Sequence, residues 1–126
     1  MSDNPIQIMV LDDEEIVGKR LKTALEKSPY EVEIFQDSRL AIDRIAEKEF
    51  DIVVTDVRME GFNGMEVLEH VLEKSPRTRV ILITGYATVE VAREALTRGA
   101  FDFIAKPFKP NDLREVILRA IQEMKR

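Results

Sequence analysis

The sequence predicts an α/β domain: a five-stranded parallel sheet, doubly wound, with helices on both faces. Two observations carry that reading. Short, nearly continuous apolar runs rich in Ile and Val recur along the chain, as expected of strands buried on both faces. Between them apolar residues return at three-to-four spacing, the period of an amphipathic helix. Strand and helix alternating five times imply right-handed crossovers and hence parallel pairing. A length of 126 residues, 44% hydrophobic and 34% charged, fits one globular domain with its own core.

The elements follow in order. The first strand is expected over Ile6 to Leu11, and a helix after it carries Val17, Leu21, Ala24 and Leu25 on one face. Its acidic start, Asp12 to Glu15, suits a helix N-terminus. Val32 to Phe35 is the second strand, followed by a shorter helical pattern of Ile42, Ile45 and Ala46. Ile52 to Thr55 is the third, and Leu68, Val71 and Leu72 mark the helix beyond Gly64. The fourth runs Val80 to Thr84, and Ala92, Ala95 and Leu96 lead to Gly99, placed as a C′ glycine. Phe101 to Ala105 is a weaker fifth. The last helix has one stripe, Leu113, Val116, Ile117, Ala120, Ile121 and Met124, with Asn111 expected as its N-cap.

Composition excludes several functions. With no cysteine, disulfide frameworks, thiol catalysis and cysteine-bound metal clusters are ruled out. A net charge of −5 argues against this domain gripping nucleic-acid phosphates, an affinity that comes mainly from Lys and Arg. No apolar run approaches the roughly 20 residues of a membrane span, and Met1-Ser2-Asp3-Asn4-Pro5 is no secretory signal. The expectation is a cytoplasmic domain without membrane contact.

In open parallel sheets, ligands bind beyond the carboxyl ends of the strands. There the sequence places Asp12, Asp13 and Glu14 after the first strand and Asp56 after the third. Thr84-Gly85 closes the fourth, and Lys106-Pro107 follows the fifth. Singly, each has a plain reading: acids cap helices, Thr ends strands, Lys-Pro sits in surface loops. Together they crowd carboxylates that repel unless positive charge sits among them. Lys106 or a divalent cation could supply it. Oxygen ligands without His or Cys suit a hard ion such as Mg²⁺. Asp56 could then act as a nucleophile toward a phosphoryl group, with Thr84 and Lys106 stabilising its oxygens.

These residues resemble the receiver (phosphoacceptor) domain of bacterial two-component response regulators over essentially the whole chain. The motifs are Val10-Leu11-Asp12-Asp13-Glu14, then Val54-Thr55-Asp56-Val57-Arg58-Met59 with Gly64, then Ile83-Thr84-Gly85-Tyr86, and Phe103-Ile104-Ala105-Lys106-Pro107. The string Thr84 to Thr88 with Gly99 to Phe103 resembles receivers of nitrogen-regulation-type, sigma-54-dependent transcriptional activators. The resemblance implies a flavodoxin-like (βα)5 fold with strand order 2-1-3-4-5, residues 1–126 forming one receiver domain. That domain would either stand alone or be the N-terminal piece of a larger regulator.

It further implies the roles. Asp56 would be the phosphorylated residue and Asp13 a direct Mg²⁺ ligand. Asp12 would reach the ion mainly through water, and the Arg58 main-chain carbonyl would be the third protein ligand. Thr84 and Lys106 would bond phosphoryl oxygens, Gly85 would leave them room, and Thr84 with Phe103 would form the switch. Pro107 would follow a cis peptide bond. The implied partners are a sensor histidine kinase or phosphotransfer protein, donating near the first helix in a phosphorelay, and an output domain or partner. The output surface would be the fourth helix, fifth strand and fifth helix, and a homodimer on phosphorylation is a further implied partner, its geometry left open. The domain would not be a turnover enzyme, acting only on its own phosphorylation and dephosphorylation. Two departures stand out: Glu60 occupies a position where the family usually has proline, and Phe103, where the family has Phe or Tyr, lacks the hydroxyl of Tyr. Separately, bulky Arg58 and Tyr86, at positions that influence water access in the family, suggest slow self-hydrolysis.

Two other readings compete. A phosphomonoester hydrolase using an aspartyl intermediate would want a second acid at position 58, which is Arg. A nucleotide- or flavin-binding module would want glycines in the first turn, which instead holds four acids in a row. Away from the rim, the single His70 is expected on the surface, and Phe62 and Phe108 as packing residues or partner contacts. Leu118 lies off the apolar stripe, a candidate for a dimer or output contact. Glu90, Arg93, Glu94 and Arg98 are expected on a solvated helix face.

Overall fold

The computed structural model of the protein describes residues 5–58, 61–85 and 88–124. Five strands alternate with five helices: β1 (Ile6–Leu11), α1 (Glu15–Leu25), β2 (Tyr30–Phe35), α2 (Ser38–Glu47), β3 (Ile52–Asp56), α3 (Gly64–Lys74), β4 (Arg79–Thr84), α4 (Val89–Thr97), β5 (Asp102–Ala105) and α5 (Pro110–Met124). All pairings are parallel, and the sheet order is β2-β1-β3-β4-β5. The expected α/β class and the 2-1-3-4-5 order both hold.

Successive side chains of a strand point to opposite faces, so each run of Ile and Val feeds two cores. Ile8, Val10, Val32, Ile52, Val54, Ile81 and Ile83 pack against Leu21 and Leu25 of α1 and Leu113, Ile117 and Ala120 of α5. Their neighbours Met9, Leu11, Val53, Val80 and Leu82 pack against Ala41 and Ile45 of α2, Leu68 and Val71 of α3, and Ala95 of α4. Leu68 is fully buried, and truncating such a leucine to alanine costs about 2–5 kcal/mol.

Local chemistry ends the helices where the pattern changes. The Asp37 carboxylate accepts the Arg39 N–H at 2.8 Å at the start of α2. Asn63 and Glu66 close a reciprocal capping box on α3, both bonds being 3.0 Å. Gly99 takes φ +104° just past α4, where its N–H reaches Leu96 O and the Ala100 N–H reaches Ala95 O, a Schellman closure.

One end differs from expectation. Asn111 is not the N-cap of α5, which already begins at Pro110. Proline suits a first helical position because it has no N–H to satisfy and its φ is already helical. The Lys109 N–H bonds instead to Asp112 Oδ2 at 3.0 Å, while Asn111 Oδ1 accepts from Arg114. Strand ends also shift: β2 starts at Tyr30, β3 includes Asp56, and Phe101 lies just outside β5 while still bonding Val80 O.

The helices are seated unequally. α3 buries Gly64, Met65, Val67, Leu68 and Val71, whereas α4 buries only Ala95, with Val89 72% and Leu96 50% exposed.

Candidate functional site

Parallel pairing lines up the carboxyl ends of β1, β3, β4 and β5 along one rim. β1 ends beside Thr55 of β3, Asp56 pairs in register with Ile83, and Thr84 with Ala105. The chemistry-bearing residues follow immediately. One carboxylate oxygen each from Asp12, Asp13 and Asp56 lies within 4.8 Å of the others. At that separation two like charges repel by about 3–4 kcal/mol at an effective dielectric of about 20, so the cluster needs compensation.

Lys106 supplies part of it. Its ammonium donates to Asp56 Oδ2 at 2.8 Å and Glu14 Oε1 at 3.1 Å, and lies 3.2 Å from Asp12 Oδ2. Its backbone N–H donates to Thr84 O at 2.8 Å, tying β5 to the end of β4. The Lys106-Pro107 peptide is cis, as expected. Burial pulls the Lys106 pKa down, but hydrogen bonds to Asp56 and Glu14 and the charges of Asp12 and Asp56 outweigh it and leave the pKa raised. The lysine is held firmly as a cation.

The three acids differ. Asp13 is exposed, whereas Asp12 and Asp56 are 1% and 6% exposed. Asp12 Oδ1 accepts the Glu14 N–H at 2.9 Å, and Asp56 Oδ1 accepts the Arg58 N–H at 3.2 Å. Asp12 Oδ2 is buried without a hydrogen bond, for Lys106 stands at ion-pair distance but off the bonding direction. Burial raises the Asp12 pKa, opposed by the Glu14 N–H and by Lys106. An orphaned buried carboxylate oxygen, two further acids and no His or Cys make a donor set that fits a hard divalent ion. Asp13 leaves one side open to water.

The remaining expectations find their places. Thr84, 1% exposed, ends β4 beside the acids. A Cβ on Gly85 would meet no atom within 4 Å, so there is open space beside that strand end. Phe103 is half-buried against the cluster that includes Val91 and Ala95. Met59, Glu60 and Tyr86 lie outside the described residues. His70 is exposed and Phe62 packs on it, ring centroids 5.3 Å apart. Phe108 packs against the α1/α5 core, and Leu118 is 50% exposed. Glu90, Arg93, Glu94 and Arg98 are all exposed, Arg98 pairing with Glu69 and Glu94.

Two features escaped the sequence reading. Glu14 binds Lys106 across 92 residues, and nothing local signals that. Gly64 is required by contact: a Cβ there would lie 2.4 Å from Asp56 O and 2.7 Å from Val57 Cα.

Comparison with known proteins agrees with this geometry. The family described as response regulator receiver domain matches residues 8–118. The regulatory protein AtoC of Escherichia coli K12 is 38% identical over 116 residues, 92% of this chain and 25% of that protein. The chain therefore spans about a quarter of that relative's length. A receiver domain described as CheY-like, from Methanospirillum hungatei JF-1, superposes with a TM-score of 0.91 at 30% identity, covering 96% of this chain and 97% of that one. The beryllofluoride-activated NtrC4 receiver, solved as a dimer, gives 0.88 at 33% identity, covering 94% and 98%, in keeping with the resemblance to nitrogen-regulation-type receivers. Receiver domains are phosphorylation-regulated signalling switches of two-component systems; they bind Mg²⁺ at an aspartate cluster and work with histidine kinases and output domains. The match runs from β1 into the last helix and leaves no strand of the sheet wholly outside it: the chain belongs to the response regulator receiver domain family.

Proposed function

We propose that the protein is a switch that accepts a phosphoryl group on Asp56 from the phosphohistidine of a partner kinase or phosphotransfer protein. The observation that carries this reading is the meeting of Asp12, Asp13 and Asp56 around Lys106, with one buried carboxylate oxygen left without a hydrogen bond. In the transfer, an Asp56 carboxylate oxygen bonds to phosphorus as the P–N bond breaks. The imidazole leaves with the electron pair, and a mixed anhydride remains on Asp56. In the reverse duty, water attacks phosphorus, the anhydride O–P bond breaks, and carboxylate and inorganic phosphate return. The domain performs both steps on itself.

Asp13, Asp56 and the Arg58 carbonyl would hold Mg²⁺ directly, and Asp12 through water. When bound, the ion supplies Lewis-acid charge to the phosphoryl oxygens. Lys106 needs only a short swing from Asp56 Oδ2 to meet one of those oxygens, and the Thr84 hydroxyl meets another. The donor protein would dock by α1, where Glu14, Val17, Leu21, Lys106, Pro107 and Phe108 line a groove of about 450 Å³.

The signal would leave through α4, β5 and α5. New phosphoryl acceptors beside Thr84 shift a pre-existing equilibrium, read by Phe103 and α4. Exposed Leu96 and Leu118 on that face support an output or homodimer contact. The domain would serve as the receiver of a cytoplasmic transcription regulator, either alone or as part of a longer chain, without touching nucleic acid itself. No helix among the described residues is long and apolar enough to cross a membrane.

The test is incubation with Mg²⁺ and a small acyl-phosphate donor, followed by intact mass. Gain of a single phosphoryl group, abolished by Asp56→Ala, is expected. Donor hydrolysis with no adduct, or an adduct that survives Asp56→Ala, would overturn the reading.

A further inference from the structure

The chain after Asp56 is gripped from two sides. Upstream, the Val57 N–H donates to Ile83 O at 2.9 Å and Val57 O accepts the Gly64 N–H at 2.8 Å. Downstream, the Phe62 N–H donates to the Ser38 hydroxyl at 2.9 Å, a contact between residues 24 apart in sequence. Ser38 opens α2 and is 1% exposed. Its hydroxyl is not needed to cap that helix, because the Asp37 carboxylate already does so.

The neighbouring backbone is shaped around this contact. Gly61 has φ +79°, and a Cβ there would come within 2.9 Å of Ser38 Oγ. Any other residue at 61 would be strained and would push against the serine. The Phe62 ring is steadied in turn by His70 of α3.

We propose that Ser38 is a positioning residue for the metal site: by holding the Phe62 N–H it sets the course of the chain after Asp56, and so the direction of the Arg58 carbonyl. This rests on the reading of the rim as a Mg²⁺ and phosphoacceptor site. A peptide chain has only two soft dihedrals per residue, so a few residues fixed at both ends leave few directions for a carbonyl between them. Without Ser38 Oγ, the hold on the Phe62 N–H is lost and only the Val57–Gly64 bond closes the turn, while the three carboxylates stay in place. The rim then keeps its charge and loses the orientation of one oxygen.

A buried serine can also serve stability alone, and Ser75 provides the control. It is 5% exposed and donates to Glu49 at 2.8 Å, at the opposite end of the sheet. Mg²⁺ affinity is measured by calorimetry on wild type, Ser38→Ala and Ser75→Ala, alongside urea unfolding and Phe62 amide exchange. Ser38→Ala is expected to raise the Mg²⁺ dissociation constant about three- to tenfold, less than a lost direct orienting partner costs because Ser38 acts through the backbone, and to speed Phe62 exchange. Ser75→Ala is expected to lose stability with affinity unchanged. Ser38→Cys, which fills the volume with a weak acceptor, should follow Ser38→Ala. Wild-type affinity in Ser38→Ala and Ser38→Cys overturns the inference, as does an equal loss of affinity in Ser75→Ala. A wild-type protein that neither binds Mg²⁺ nor gains a phosphoryl group sinks the underlying reading of the rim as well. A wild type that does both, with affinity unaltered in the Ser38 variants, sinks the positioning role alone.

Discussion

At the amino ends of the strands, acids and hydroxyls settle one another; at the carboxyl ends they are left competing. Below the sheet, Asp51 Oδ2 accepts the Gln7 N–H at 2.8 Å, the Thr78 hydroxyl donates to Phe50 O at 2.5 Å, and Ser75 donates to Glu49. Gln7 also reaches Glu31. Above it, the carboxylates of Asp12, Glu14 and Asp56 share one ammonium with Asp13 close by, and Asp12 Oδ2 finds no hydrogen bond. The residue types are the same. What separates the two networks is whether each buried carboxylate and hydroxyl oxygen has been given a partner.

The contrast makes different demands on the two ends. Asp13→Asn carries the largest expected effect: removing an exposed acid of the proposed metal site should raise the Mg²⁺ dissociation constant about 100-fold, the top of the range for merely orienting groups. Its metal-free stability should stay within about 0.5 kcal/mol of wild type by urea unfolding, as for other exposed substitutions. Thr78→Val should do the reverse. Leaving Phe50 O without its donor is expected to cost about 1–3 kcal/mol, with Mg²⁺ affinity and adduct formation intact. A loss of affinity in that variant would break the division between the two ends.

A smaller effect comes from an acid that is fully paired. Glu33 on β2 accepts from Arg44 and Lys48, and the Arg44 bond above all holds its pKa at about 2, from an ordinary 4.5. The folded pKa is depressed, so the stability it contributes is complete above 4.5 and fades as pH falls toward 2. Wild type should exceed Glu33→Gln by about 1 kcal/mol at neutral pH, after allowance for partial exposure, and the gap should close across that acid window. A pH-independent gap would mean that Glu33 acts through packing and not through its charge.

Much of this was legible beforehand, for identifiable reasons. Ile and Val runs flanked by Asp, Thr and Gly mark strands, and a parallel sheet then forces Asp12, Asp56, Thr84 and Lys106 onto one rim. The strand ends are local features, and their convergence follows from topology alone. Asn111 misled because a side chain that can cap need not do so where Pro110 starts the helix one residue earlier. Ser38 was hidden for the opposite reason. Next to Asp37 it reads as one more helix-start residue, and its partner Phe62 belongs to a different loop. Glu14 likewise gives no sign in sequence that Lys106 will reach it.

The unequal seating of α3 and α4 has a mechanical consequence. Gly64 brings α3 backbone-to-backbone against Asp56, and four apolar side chains nail that helix down. α4 rests on Ala95 with half-buried Val91 beside it, so sliding it sideways would forfeit only about 1–2 kcal/mol of apolar burial. A push originating at the rim meets a wall on one flank and a loose shutter on the other. The path of least resistance is thus built into the way the two neighbours are fastened, before any partner arrives.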